Sequence, residues 1–447
     1  MKLAFLPIDN RPVCYTLPKL ISEIDESIEF LIPKRDFLGD LTKNADISAI
    51  FNWLESLPNN LDAIVLTLDT IAYGGLIPSR RCPESVDEIK ERIEKLKEIL
   101  LRKNCKIYAF SSIMRISNNN FNEEEKEYWS QYGKKIFEYS YNFHKNGKAS
   151  ETSVPEDIID DYLKTRKRNF EINKTYLEWQ KQGLFETLLF TKDDCAQYGL
   201  NVMEAEELEK LGGQTKTGAD EIPLTLMAKA IQKEVKICPI FLEPEDKKLI
   251  SNYEDISVEN SVKSQIELAG CKISDEQSAD ILLYVNNFKK HQGEIVMKVE
   301  TEPFNKTFIA PDKPFMTADV RFANGADNKF VDELFKNNLA DENFYGYSAW
   351  NTTANTLGSL ICGAKIKFHA QKYNSDAFKK LQLTRFLDDW AYQANIRQEL
   401  SFPDTKILCN KIQKYKKIIE NKIGTGEVNI NYVYPWNRLF EVEIGII

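Results

Sequence analysis

Two adjacent carboxylates at the end of an apolar run carry the strongest chemical signal in this chain. Leu188, Leu189 and Phe190 lead through Thr191 and Lys192 into Asp193 and Asp194, with Cys195, Tyr198 and Gly199 just beyond. Like charges side by side repel, so a buried strand end is a costly place for them. Carboxylates whose proton affinities differ can supply both the orienting base and the proton donor that bond cleavage needs. Asp193 and Asp194 are therefore the candidate catalytic pair. The same residues also suit helix capping, because an aspartate before a helix accepts backbone N–H bonds and complements the dipole.

Recurrence favours a site over a set of caps. Leu3–Ile8 runs into Asp9, Asn10 and Arg11, and Ala63–Leu68 runs into Asp69, Tyr73, Gly74 and Gly75. Ile107–Ser112 leads to Arg115, and Thr217–Ala219 precedes Asp220 and Glu221. Ile281–Val285 precedes Asn286 and Asn287, and Phe315–Ala318 precedes Asp319, Arg321 and the stretch Asn324–Asp327. Tyr345–Ala349 precedes Trp350, Asn351 and Asn355. In α/β proteins the carboxyl ends of parallel strands form the functional edge. The candidate substrate-binding residues are therefore Asp9, Arg11, Asp69, Tyr73, Arg115, Tyr198, Asp220, Glu221, Asp319, Trp350, Asn351 and Asn355. Asn351 and Asn355 are spaced one helical turn apart, which would put two amides on one face. Local roles compete at several positions: an Asp9–Arg11 or Asp69–Arg115 ion pair, a cap at Asp220–Glu221 for a helix near Pro223, and a turn at Asn324–Asp327.

What the chain lacks narrows the chemistry. Its three histidines, His144, His291 and His369, lie outside these stretches, which disfavours Ser-His or Cys-His nucleophiles and histidine-rich metal sites. Eight cysteines show no C-x-x-C spacing and read as reduced core residues, and the carboxylates beside Cys195 oppose thiolate formation. No phosphate loop or dinucleotide fingerprint follows a strand, so no cofactor is expected. A net charge of −9 argues against nucleic-acid binding, and no apolar run reaches the roughly 18 residues of a membrane helix. The N-terminal run from Leu3 to Ile8 is too short for a signal peptide and reads as the first strand of a cytoplasmic protein.

The elements that must hold these residues alternate between strand-like runs and amphipathic helices, the pattern of an α/β fold with parallel strands. Polar residues at nearly every strand end suggest a barrel-like, TIM-like core, with two Rossmann-like lobes facing a cleft as the alternative. Ser85–Lys103 reads as a helix with Ile89, Ile93, Leu96, Ile99 and Leu100 on one face. A helical insertion at about 121–183, with helices over Phe121–Tyr141 and Pro155–Gln182, would form a wall or lid. The expected organisation is a core of residues 1–368 and a mainly helical C-terminal region, 369–447.

In combination these motifs resemble the bacterial family known as domain of unknown function 4127. The resemblance rests on Leu6–Pro12, Leu68–Leu76, Asp193–Asp194 with Tyr198–Asn201, Gly218–Glu221, Asn324–Asp327, Trp350–Thr352 with Asn355–Gly358, and Pro435–Arg438 with Phe440–Glu441. It covers essentially the whole chain. The family pattern usually has Asp where this chain has Asn10, so Asn10 is not expected to be an essential acid. By site logic the pair also resembles hexosaminidases that use the substrate's acetamido group as nucleophile. That likeness implies an orienting Asp193, a general acid/base Asp194 and Tyr198 on the acetamido oxygen.

Asp and Asn for hydroxyls, aromatic faces for sugar rings and a carboxyl pair for cleavage point to a glycosidase-like hydrolase acting on a carbohydrate, with an N-acetylamino sugar as the candidate substrate. Two alternatives are a Mg²⁺-dependent hydrolase or lyase built on Asp9, Asp69, Asp193 and Asp319, and a non-catalytic sugar or metabolite binder.

Overall fold

The structure, a computed structural model, describes residues 1–148, 152–193 and 195–446. The chain divides into two compact units. The first comprises Met1–Asn10, Glu29–Pro223 and Tyr253–Asp255; the second comprises Arg11–Ile28, Leu224–Asn252 and Ile256–Ile447.

The first unit is built on six parallel strands: β1 (Lys2–Leu6), β2 (Glu29–Leu31), β3 (Ala63–Thr67), β4 (Lys106–Ile113), β5 (Thr187–Lys192) and β6 (Thr215–Thr217). β3 and β5 are buried at every position, as strands covered on both faces must be, and the apolar runs Ala63–Leu66 and Leu188–Phe190 at their centres reflect this. The spatial order is β2-β1-β3-β4-β5-β6. This is the flavodoxin-like order, whose winding reverses between β1 and β3, and ligands of such sheets bind beyond the strand ends at that reversal. Asp9 and Asp69 follow those two strands.

The helix Val86–Leu101 is closed by a reciprocal Ser85–Glu88 capping box and buries Ile89, Ile93, Leu96, Ile99 and Leu100, the face read from the sequence. The insertion forms two helices, Trp129–Asn146 and Glu156–Lys181. The second is fixed in place by buried polar bonds. Its buried Asn173 accepts from Ser111 Oγ on β4 at 2.7 Å, and Asn169 and Arg168 donate to the Ser79 carbonyl at 2.9 and 2.7 Å. Withdrawing it would leave buried polar groups unsatisfied.

The second unit repeats the order. Its strands are β7 (Lys236–Phe241), β8 (Lys272–Ile273), β9 (Ile281–Asn286), the short β10 (Gly293–Glu294), β11 (Phe315–Asp319), the short β12 (Phe322–Ala323) and β13 (Phe344–Ser348). Five of them form a parallel sheet, β13-β11-β9-β7-β8, in which the first strand of the sheet again lies between the second and the third. β10 pairs with β12, and a closing hairpin joins β14 (Ile430–Val433) to β15 (Glu443–Ile446). Residues 369–446 fall in this unit and include helices Ser375–Arg385 and Thr405–Ile423 and the π-helix Phe386–Ile396.

The expected α/β organisation with parallel strands is present. Among the described residues the strands pair as two sheets, and no pairing joins the outer strands of either into a ring. No helix among them is long and apolar enough to cross a membrane.

Candidate functional site

The strand ends of the first unit gather an ionic cluster around Asp193, the residue after β5. Arg80, in the short helix Pro78–Arg81, places Nη2 3.3 Å from Asp193 Oδ2. Arg115, beyond β4, places Nη1 3.6 Å from the same oxygen. Both guanidiniums also hold the loop that precedes the insertion: Arg115 contacts Glu124 at 2.8 Å and Glu125 at 3.0 Å, and Arg80 contacts them at 3.4 and 3.5 Å. Arg81 fixes that loop through its backbone, donating to the carbonyls of Glu125, Asn122 and Glu123. Arg80 is 1% exposed, whereas the Asp193 side chain retains 22%. Burial raises the Asp193 pKa; Arg115 and Arg80 oppose that rise, and Asp220 and Glu124 add to it. Asp194 lies outside the described residues.

Asp220 and Glu221 follow β6 and precede the helix Ile222–Ala230. Burial drives the Glu221 carboxyl well above the usual range, and Asp220 and Glu254 push the same way. Gly218, at φ +107°, makes room for it, since a Cβ there would stand 1.9 Å from Glu221 Oε1.

Asp69 sits at the winding reversal and is fully buried. The Ser112 N–H donates to its Oδ2 at 2.8 Å, while Oδ1, the Tyr73 hydroxyl and the Tyr176 hydroxyl make no hydrogen bond within the described residues. Burial lifts the Asp69 pKa to about 7, against the backbone bond from Ser112 and the charge of Arg80. Arg115 pairs with Asp193, Glu124 and Glu125, and Arg80 is a cation that acts on Asp69. Asp9 is buried after β1.

Tyr198 packs edge-on against Tyr141 and His144, and the Gly199 N–H donates to His144 Nδ1 at 3.1 Å. A histidine remote in sequence therefore braces the loop after β5. Burial and the neighbouring Asp255 push the Cys195 thiol pKa well up, which opposes the thiolate that a nucleophile needs. Asp255 also receives Lys192 and Thr217, which ties β5 to β6.

In the second unit Asp319 has both carboxylate oxygens engaged. Oδ1 accepts from Asn286 at 2.8 Å, and Oδ2 accepts from the Asp327 N–H at 2.8 Å and the Tyr347 hydroxyl at 3.4 Å. Arg321 completes the network through Asn286 and Glu243. Burial, with Asp327 adding to it, raises the Asp319 pKa to about 8. Asp327 caps the helix Asn328–Leu334, the physical role of what reads in sequence as a turn. Arg11 pairs with Glu441 at 3.3 Å. Trp350 is buried against Phe440. Asn351 and Asn355 do not share a helical face: Thr352 is the N-cap, and Asn351 lies before it with φ 59°. Asn355 is buried in the first turn.

Arg80, Glu124 and Glu125 went unread in the sequence. Arg80 follows no strand, and its carboxylate partners lie 44, 45 and 113 residues away. Among the described residues no three His, Cys, Asp or Glu side chains gather as a metal site would require.

The fold and the cluster define an α/β protein with a parallel sheet in each of two units and an arginine–carboxylate centre at the strand ends of the first. Over residues 3–445 the chain matches the model of a family described as Protein of unknown function (DUF4127), and it belongs to that family. No curated protein matches it.

Proposed function

We propose that this protein is a glycosidase-like hydrolase that cleaves a carbohydrate, with an N-acetylamino sugar as the favoured substrate, and that Asp193 and Asp194 are its catalytic pair. One observation carries the reading: Asp193 is held by Arg80 and Arg115 at a strand end, beside Asp220, and keeps part of its surface in contact with solvent. Two guanidiniums fix the direction of that carboxylate, as an orienting role requires. The next residue, Asp194, is then assigned as general acid/base. Tyr73, Tyr198, Asp220 and Glu221 belong to the same unit and are assigned to substrate binding with Asp9, Asp69 and Arg115. No cofactor enters this reading. Of the two fold layouts, the two-lobed one is favoured over a TIM-like ring by the separate pairing of the sheets. All eight cysteines are free, which suits the cytoplasm.

The test is turnover on a panel of aryl and alkyl N-acetylhexosaminides. Asp194→Asn should lose about 10²–10⁴ in rate on alkyl substrates and less on nitrophenyl ones, whose leaving groups need little protonation. Asp193→Asn should slow both kinds alike. Unchanged turnover in both variants, or no turnover by the wild type on any glycoside, would defeat the proposal.

A further inference from the structure

The second unit carries an alternating stack of guanidiniums and aromatic rings that the reading above does not use as a whole. Arg11 lies 5.3 Å from the centre of the Trp436 ring. Arg438 lies 4.5 Å from the same ring and 4.9 Å from Phe440, and Arg397 lies 5.4 Å from Phe440. The order is Arg11–Trp436–Arg438–Phe440–Arg397. Arg11 is buried and anchored by Glu441, whereas Trp436, Arg438, Phe440 and Arg397 all keep part of their surface exposed.

Cation–π packing alone could fasten the C-terminal segment to the unit. The backbone argues for more. Trp436 and Asn437 are consecutive left-handed residues, at φ 57° and 52°. A bulky side chain is strained in that region, and such strain collects at ligand sites, where surrounding structure enforces it. Seven non-glycine residues in the described chain have positive φ, and four of them belong to this neighbourhood. The other two are Asn324, after β12, and Asn351, after β13, joined by a 2.8 Å bond from the Asn324 N–H to the Asn351 carbonyl. Trp350 leans on Phe440 at 6.3 Å, and Asn324 donates to Glu294, which acts electrostatically on Arg397. The stack therefore adjoins strand ends of its own unit.

A guanidinium whose faces are taken by aromatic rings bonds through its in-plane N–H edge, and that fork matches the two oxygens of a carboxylate or phosphate. We propose that the Arg11–Trp436–Arg438–Phe440–Arg397 stack binds the oxyanion of an acidic sugar, either a sugar carboxylate or a sugar phosphate. The sugar part of this assignment rests on the glycosidase reading; the oxyanion part does not.

Calorimetric titration of the full-length protein with sodium glucuronate, glucose 6-phosphate and glucose at low salt tests it. At least one anion should bind saturably, and glucose should bind at least about tenfold more weakly, the equivalent of losing one charged hydrogen bond. Which anion binds tells carboxylate from phosphate. Arg438→Gln and, separately, Arg397→Gln should each weaken the anion about tenfold or more. Arg438→Lys keeps the charge without the fork and should also bind less well. The proposal fails if neither anion binds, if glucose binds as tightly, or if both glutamine variants, folded by circular dichroism, bind as the wild type does. The readout is binding, so a protein that takes up glucuronate yet hydrolyses no glycoside would uphold the stack and sink the glycosidase.

Discussion

The guanidinium of Arg80 meets the carboxylate of Asp193 at 3.3 Å across 113 residues of chain. Because Arg80 also touches Glu124 and Glu125, removing it would take from three carboxylates one of the two guanidiniums, Arg80 and Arg115, that contact all of them. Breaking a buried ion pair from one side costs about 3–5 kcal/mol. Arg80→Gln should lower the urea midpoint accordingly, and Arg80→Lys should lose less. A midpoint unchanged in Arg80→Gln would show that the cluster does not hold the unit together.

Asp69 should make stability fall as pH rises. Its folded pKa of about 7 exceeds the unfolded value near 3.9, so the folded chain holds the proton more tightly. Its contribution is complete below about pH 4 and is lost as pH climbs through about 7. Asp389, also raised to about 7, and Asp319, raised to about 8, act in the same direction. Asp69→Asn should flatten the decline between pH 5 and pH 8, and thermal melts at the two pH values measure it. Equal declines in the variant and the wild type would contradict a buried, protonated Asp69.

Gly218→Ala should perturb the same unit through geometry. A Cβ at φ +107° is strained in itself and would collide with the Glu221 carboxyl. We expect a loss of about 1–3 kcal/mol or more in denaturant titration. Gly147→Ala, with nothing within 4 Å of the added carbon, controls for left-handed backbone strain alone. If the two substitutions cost the same, the close approach of Glu221 contributes nothing.

Any hydrolytic activity should survive EDTA. Asp193 already contacts two fixed cations, so a divalent ion would have to displace a guanidinium to reach it. Activity that disappears in EDTA and returns with Mg²⁺ would favour the metal-dependent alternative.

Strands flanked by long apolar runs were readable: β3 and β5, with Asp69 and Asp193 directly beyond them, stand where the sequence puts them. Burial on both faces selects an apolar run at the centre of such strands, Ala63–Leu66 in one and Leu188–Phe190 in the other. The two- and three-residue strands β2, β6 and β8 carry too few side chains to show a period. The first helix of the insertion begins at Trp129, not Phe121, because residues 122–125 are held as a loop by Arg80, Arg81 and Arg115. No local pattern reveals that competition, since the arginines lie in other segments. The apparent helical spacing of Asn351 and Asn355 misled for a related reason: the cap at Thr352 places Asn351 outside the helix, and spacing alone cannot locate a cap.

The segment Arg11–Ile28 leaves the first unit after only ten residues and belongs to the second. Its helix, Thr16–Ser22, buries Leu17 and Ile21, and Asp25 accepts backbone bonds from Gln371 and Lys372. Those partners leave the ribosome some 350 residues later, as the separations of 346 and 347 show. During vectorial synthesis the early helix must therefore wait, its apolar face uncovered, until nearly the whole chain exists. A cut at the junction between Pro223 and Leu224 would strand that helix on the wrong fragment. Each half made alone should be a poor folder, and supplying residues 11–28 in trans should rescue the C-terminal half.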